Sequence, residues 1–345
     1  MSTTNEKVLT HHSTSEEVAR VVEDAHATYR RICDELSGTI VGMNDVTEQL
    51  MISILCRGHC ILQGMPGLAK TLLISQLAAL MDLSFHRIQF TPDLMPADIT
   101  GGEVLEEDRT TGKRVFRFLK GPLFANLILA DEINRTPPKT QSALLEAMEE
   151  RQLSVAGQTY PLPEPFFVLA TQNPIEVEGT YPLPEAQLDR FLMKIKVTYP
   201  SRADEWEICR RQTTEYSHAL EHVIDVETLL RMQSIVPKVI VADQVYVAAI
   251  DLARLTRPEE GKLPAEMRDK IQYGAGPRAS IALLMAAKAR ALLHKRCHAT
   301  TEDVCAVAPP VLRHRIIPTF NAEAMGLDTD AIVKTLIERH RASMK

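Results

Sequence analysis

The stretch Gly64-Met65-Pro66-Gly67-Leu68-Ala69-Lys70-Thr71 follows the apolar run Cys60-Ile61-Leu62 and opens an apolar-periodic segment from Leu72 to Leu80. A glycine-rich turn between a buried strand and a helix is how a chain cradles phosphate. Backbone N–H groups wrap the oxygens, a lysine reaches the β and γ phosphates, and a hydroxyl ligates magnesium. Lys70 and Thr71 stand at those last two positions. Ala69 occupies the place of the usual final glycine, so the turn must tolerate a methyl group. Strings of this kind also occur in unrelated loops, so the surroundings decide what this one means.

Further along comes Leu127-Ile128-Leu129-Ala130-Asp131-Glu132, four apolar residues running into two carboxylates. A buried parallel strand reads as a continuous apolar run, and residues at its C-terminal end face the ligand crevice. Asp131 there is placed to hold magnesium, and Glu132 to polarise an attacking water. An isolated string of this type is more simply a strand ending in solvated acids. Paired with the glycine-rich turn, it supplies the metal ligand and water-positioning group that phosphoryl transfer needs.

A third strand, Phe166 to Thr171, ends at Gln172-Asn173-Pro174. Asn173 can offer an amide to phosphate or water, although Asn-Pro is also an ordinary turn former. Arg190, in Leu188-Asp189-Arg190-Phe191, precedes a strand-like run from Phe191 to Val197. Arg278, in Gly276-Pro277-Arg278-Ala279, opens a helical pattern that reaches Leu293. A lone arginine is usually a solvated surface group; these two stand where a guanidinium can be aimed at phosphate.

The ordered set GMPGLAKT, LILADEINR, ATQNP, LDRF and GPRAS resembles an AAA+ ATPase. The strings TPDLMPADITG, LKGPLFANLILADEINRTPPKTQSALLEAMEE and EGTYPLPEAQLDRFL resemble the MoxR family in particular. The resemblance runs from about Ser37 to the C-terminus, with the motifs in order. It implies an α/β fold: a P-loop AAA+ core with a parallel sheet and β-hairpin inserts, followed by a small all-α lid domain. It implies that ATP and Mg2+ are bound by Gly64, Pro66, Gly67, Leu68, Ala69, Lys70 and Thr71, with Thr71 and Asp131 on the metal. Glu132 then matches the catalytic acid of Walker B, Asn173 sensor 1, Arg190 the arginine finger and Arg278 sensor 2. Ile40-Val41-Gly42 matches the box near the adenine, although Met43 stands where a glutamine often follows and is given no hydrogen-bonding role. A homo-oligomeric ring, a hexamer, is implied, with a von Willebrand factor A domain protein as partner and a protein complex as substrate.

Composition agrees with this reading. A chain of 345 residues makes two domains, each large enough to bury a core. With 45% hydrophobic and 24% charged residues it is globular rather than disordered. No apolar run reaches the roughly 18 residues of a membrane span. The polar segment Met1 to Thr14 lacks the apolar stretch of a signal peptide, so a cytoplasmic location is expected. Residues 1–200 carry 18 basic and 26 acidic side chains, and residues 201–345 carry 21 and 19. No basic bias marks a nucleic-acid surface. The six cysteines include no C-x-x-C pair, and His294, Cys297, His298 and Cys305 fit no zinc template.

Thr14-Ser15-Glu16-Glu17 reads as a capping box opening a helix to about Leu36, expected as a separate N-terminal element over 1–36. Strands and helices alternate over 37–199, the expected ATPase core. Two interruptions read as hairpins, Gly102 to Leu119 around a polar tip at Arg109 to Lys113, and Gln152 to Leu162 around Ala156-Gly157. By resemblance they are a helix-2 insert and a pre-sensor-1 hairpin; surface decoration is the simpler alternative. From 200 to 345 the pattern is helical only, with a loop expected from Pro258 to Tyr273. Two rival functions remain open on sequence alone: a nucleic-acid motor of the helicase type, which shares both inserts, and a non-hydrolysing nucleotide switch. Retention of both Asp131 and Glu132 counts against the second.

Overall fold

The computed structural model describes residues 13–107, 114–173, 179–215, 218–260, 263–264 and 267–343. The chain divides into a sheet-bearing unit, Glu35–Val226, and a helical unit made of Met1–Asp34 with Glu227–Lys345. Helix α1 (Ser13–Thr39) runs through the division between them.

In the sheet-bearing unit, α2 (Asn44–Leu55) leads to β1 (Cys60–Gly64), α3 (Lys70–Leu80) and β2 (Phe85–Gln89). Then come α4 (Pro96–Thr100), the strands β3 (Gly101–Glu107) and β4 (Arg114–Lys120), β5 (Leu127–Asp131) and α5 (Pro138–Glu150). The strands β6 (Gln152–Val155) and β7 (Gln158–Pro161), β8 (Phe167–Gln172), α6 (Glu185–Leu188), β9 (Met193–Val197) and α7 (Arg202–Gln212) complete it. Five strands form one sheet in the order β2-β5-β8-β1-β9, and every pairing in it is parallel.

The central strands are buried along their apolar runs because both faces of a parallel sheet are covered, which is why they read as continuous hydrophobic stretches. On one face Ile61, Ile128 and Val168 pack with Leu144, Leu145 and Phe191. Each fully buried side chain of this size contributes roughly 1.5–3 kcal/mol. His59, just before β1, ties this layer together. Its Nδ1 accepts the Val168 backbone N–H at 3.0 Å, and its Nε2 lies 3.1 Å from the Met148 carbonyl oxygen. Burial pushes its pKa down to about 4, so the ring is neutral and Nε2–H donates to Met148. Since β1 lies between β8 and β9 rather than beside β2, strand order departs from chain order. A crevice opens where such a switch occurs, at the carboxyl ends of the strands.

Both expected hairpins form. β3 and β4 pair antiparallel with Leu105 opposite Phe116, and β6 and β7 with Val155 opposite Gln158. Ala156 and Gly157 both have positive φ (50° and 80°), the requirement of the two-residue type I′ turn. The polar tip at Arg109 to Lys113 lies outside the described residues. The two hairpins touch: the rings of Phe118 and Tyr160 stack with centroids 4.2 Å apart.

In the helical unit, α8 (Val226–Ile235) is followed by β10 (Ile240–Val241), α9 (Asp243–Arg254), β11 (Ile271–Tyr273) and α10 (Pro277–Leu293). β12 (His298–Ala299), α11 (Thr301–Leu312), β13 (Ile317–Pro318), α12 (Phe320–Ala324) and α13 (Thr329–Ser343) close it. Thr300 and Asp303 form the capping box that opens α11, each side chain receiving the other's backbone N–H.

Three expectations change. The division falls at Val226/Glu227, not at 199/200. Segment 200–226 is bound to the sheet-bearing unit by Arg211, which donates to the Ser37 and Gly38 carbonyls, and by the Val223 and Ile224 N–H groups, which donate to Leu80. The N-terminal helix is no separate element: up to Asp34 it groups with the helical unit, where His26 Nδ1 lies 2.6 Å from the Leu293 carbonyl and Lys295 pairs with Glu23 at 2.7 Å. The helical character of this unit is as expected, with two short ladders added, β10 with β12 and β11 with β13. The last pair places Ile271–Tyr273, expected in a loop, in a strand; such two-residue ladders leave no periodicity to read. Among the described residues no helix is long and apolar enough to cross a membrane.

Candidate nucleotide site

The segment between β1 and α3 turns back over the strand end. Gly64 has no room for a side chain, since a Cβ there would lie 2.7 Å from the Val197 carbonyl oxygen. Gly67 and Ala69 both adopt positive φ, 79° and 50°. The expected departure at Ala69 is therefore an L-residue held in the left-handed region, as the N-cap of α3. Lys70 folds back so that its ammonium donates to the Gly64 and Met65 carbonyls, at 2.5 and 2.8 Å. Burial lowers its pKa, and the nearby Asp131 and Glu132 carboxylates oppose that shift.

Pro66, Gly67, Leu68, Ala69, Lys70 and Thr71 line a cavity of about 500 Å³ together with Asp131, Glu132 and Asn173. Parallel pairing explains this meeting: β5 lies beside β8 and β8 beside β1, so their C-terminal residues arrive on one edge. Glu132 follows β5 in a left-handed conformation (φ 57°, ψ 49°). Non-glycine residues are held so only where the surroundings impose it, and such positions cluster at functional sites. Its backbone N–H donates to Thr171 Oγ1 at 2.8 Å, and that hydroxyl donates to Asp131 Oδ1 at 2.5 Å. Glu132 Oε2 accepts from Gln89 at 2.8 Å and pairs with Arg135 at 3.2 Å. Asp131 Oδ2 accepts two hydrogen bonds from Arg87, from Nε at 3.0 Å and from the terminal nitrogen at 2.7 Å.

Thr171, Gln89, Arg87 and Arg135 carry no role in the sequence reading. Phe85-His86-Arg87-Ile88-Gln89 does put Arg87 and Gln89 on one face of a strand by alternation. That the strand pairs with the acid-bearing one, with Gln89 opposite Asp131, is not written in the sequence.

The donors present suit magnesium. The Thr71 hydroxyl and the Asp131 carboxylate are hard oxygen ligands facing one cavity, and magnesium is ordinarily held by one or two such groups plus substrate phosphates. Among the described residues, no group of three His, Cys, Asp or Glu side chains could hold a metal by itself.

A second cavity of about 420 Å³ shares Leu72 with the first and is lined by Thr39, Val41, Gln76, Ile208 and Arg211 among others. Ile40 is buried beside it in sequence. Gly42 has φ +75°, and a Cβ there would lie 2.8 Å from the Asp204 carboxyl. Met43 precedes α2 with no side-chain capping bond. Arg190 lies between α6 and β9, where it pairs with Glu149 of α5 at 3.0 Å; it is not among the residues lining the first cavity. Arg278 stands in the first turn of α10, in the helical unit.

A parallel sheet with a glycine-bearing turn after its β1, and two carboxylates at the end of β5 one strand removed, defines a P-loop nucleotide-binding protein. Residues 59–193 match the family model of the ATPase family associated with various cellular activities (AAA), and residues 265–336 match the AAA lid domain. The chain is 41% identical to the chaperone MoxR1 of Mycobacterium tuberculosis over 90% of its own length and 81% of the relative's. It is 32% identical to the protein MoxR of Methylorubrum extorquens, over 90% and 93%. A crystal structure from Cytophaga hutchinsonii, described as that of a candidate ATPase, superposes with a TM-score of 0.85 at 42% identity, covering 94% of this chain and 97% of that one. The chain belongs to the MoxR family of AAA+ ATPases.

Proposed function

We infer that the protein hydrolyses ATP as a ring, a hexamer in this reading, and couples hydrolysis to chaperone-like remodelling or maturation of a protein complex in the cytoplasm. One observation carries the chemistry: Lys70, Thr71, Asp131, Glu132 and Asn173 line a single cavity. In this reading the 64–71 turn cradles the phosphates and Lys70 reaches the β and γ oxygens. Thr71 and Asp131 hold magnesium, whose bound charge offsets the negative charge on the transferring phosphoryl oxygens. Glu132 orients and polarises the attacking water, and Asn173 hydrogen-bonds the γ-phosphate or that water. Val41, beside Ile40 and Gly42, forms part of a base pocket in the second cavity.

Arg190 acts in trans as the finger of a neighbouring subunit, and Arg278 acts from the lid. The Arg190–Glu149 ion pair leaves a partly exposed guanidinium, which a phosphate can draw away at small cost. A chaperone role is supported by the printed name of the Mycobacterium tuberculosis relative. A von Willebrand factor A domain protein as partner is supported by the family resemblance.

ATPase rate measured against protein concentration tests the reading. Specific activity should rise as rings assemble. Mixing Arg190→Ala with excess Lys70→Ala subunits should restore part of the activity that each has lost. An arginine finger contributes on the order of 10³–10⁵ in rate, so the recovery is easily measured. A rate independent of concentration, with no recovery in rings shown to be mixed, overturns the shared site. Salt-dependent DNA binding would favour the nucleic-acid motor instead.

A further inference from the structure

Both oxygens of Asp131 are engaged. Oδ1 accepts from Thr171 and Oδ2 from Arg87, and the Asp131 side chain is only 13% exposed. Arg87 fills Oδ2 with two hydrogen bonds, so a metal that ligates through that oxygen competes directly with it. Thr171 is fixed: its side chain is buried, and its hydroxyl also accepts the Glu132 backbone N–H. Arg87 is different. It extends from β2, the edge strand of the sheet, and its side chain is 49% exposed. An ion pair this open to water is weak, and a divalent cation competes well for the same oxygen. Arg87 also lines the cavity that the 64–71 turn encloses, so a guanidinium released from Asp131 remains beside the phosphate cradle.

Charge balance decides where it goes. The other acid of the cavity, Glu132, already has Gln89 and Arg135 on Oε2. With both acids that line the cavity already partnered, the polyphosphate is the anion that best suits a released Arg87, since the planar guanidinium fork matches phosphate oxygens better than a point charge does. Resting on the nucleotide-site reading above, we propose that Arg87 is a phosphate-binding residue of the same subunit, which reaches the terminal phosphate by surrendering Asp131 to the metal. Arg87 thereby couples metal ligation to recognition of the nucleotide's length. Sequence motifs gave it no such part.

The test measures binding, not turnover. Dissociation constants for ADP and for a slowly hydrolysed ATP analogue are compared for the parent, Arg87→Ala and Arg87→Lys, over a magnesium titration. Loss of a charge-assisted hydrogen bond to the third phosphate should weaken Arg87→Ala binding of the triphosphate about 10- to 100-fold. ADP binding should change far less. The magnesium concentration that half-saturates ADP binding should fall several-fold, since the cation competing for Asp131 has gone. Arg87→Lys should recover part of the triphosphate preference. Equal weakening of both nucleotides, or an unchanged magnesium dependence, overturns the proposal and leaves Arg87 a local ion pair. Failure of the parent to bind Mg-ADP would instead refute the nucleotide-site reading. Melting temperatures near the parent's establish that each variant is folded, and Arg87→Lys carries the comparison if Arg87→Ala is not.

Discussion

Thr171 donates its hydroxyl to Asp131 Oδ1 at 2.5 Å from the neighbouring strand, and it accepts the Glu132 backbone N–H on the same oxygen. One buried hydroxyl thus orients both acids of the site. Thr171→Val keeps the shape but leaves the Glu132 N–H and the Asp131 oxygen without that partner. It should cost about 1–3 kcal/mol in chemical denaturation and should also lower ATPase activity. A variant as stable and as active as the parent would show that the acids are positioned by other means.

Glu132→Gln removes the water-polarising charge while Lys70, Thr71 and Asp131 remain. Nucleotide binding should persist, and turnover should fall by roughly 10²–10⁴, as expected for a lost general base. Single-turnover hydrolysis beside equilibrium binding separates the two. Hydrolysis at the parent rate would take the base role from Glu132.

Ala69 caps α3 at φ 50°, where an L-residue costs roughly 1–2 kcal/mol and glycine does not. Ala69→Gly should therefore be stabilising, by up to about 1 kcal/mol after the extra chain entropy of glycine. A thermal melt decides the sign. A clear loss of stability would mean that the methyl group makes favourable contacts which outweigh the backbone strain.

Acid should weaken the sheet-bearing unit through His59. Its folded pKa is depressed to about 4 by burial, against an ordinary value of 6.5. Between those values the unfolded chain binds more protons, so stability is complete above about pH 6.5 and falls as the pH drops toward 4. The full effect is on the order of 3 kcal/mol. Protonation would turn Nδ1 from acceptor to donor, against the Val168 N–H. His59→Gln should show a shallower loss of stability over that range. An NMR titration placing His59 near its ordinary pKa would contradict the buried neutral ring.

The site and the fold differ in how far they could be read in advance. The strands Leu127 to Asp131 and Phe167 to Gln172 were legible because burial on both faces forces continuous apolar runs, and the 64–71 turn because phosphate cradling needs a particular residue order. The limits of α10 followed from the helical pattern that begins beside Arg278 and reaches Leu293. The capping box of Thr300 and Asp303 at the start of α11 is of the same local kind, an interaction between residues three apart.

What tertiary structure alone decided involves residues far apart in the chain. Strand order β2-β5-β8-β1-β9 brings Arg87 and Gln89 against Asp131 and Glu132, and it brings Thr171 between the two acids. Segment 200–226 joined the sheet-bearing unit through hydrogen bonds to Ser37, Gly38 and Leu80, which no composition change announces. Local patterns record what each segment buries and how it begins or ends. They do not record its neighbours, because pairing between strands runs through backbone groups that every residue except proline shares, and such groups carry no sequence label.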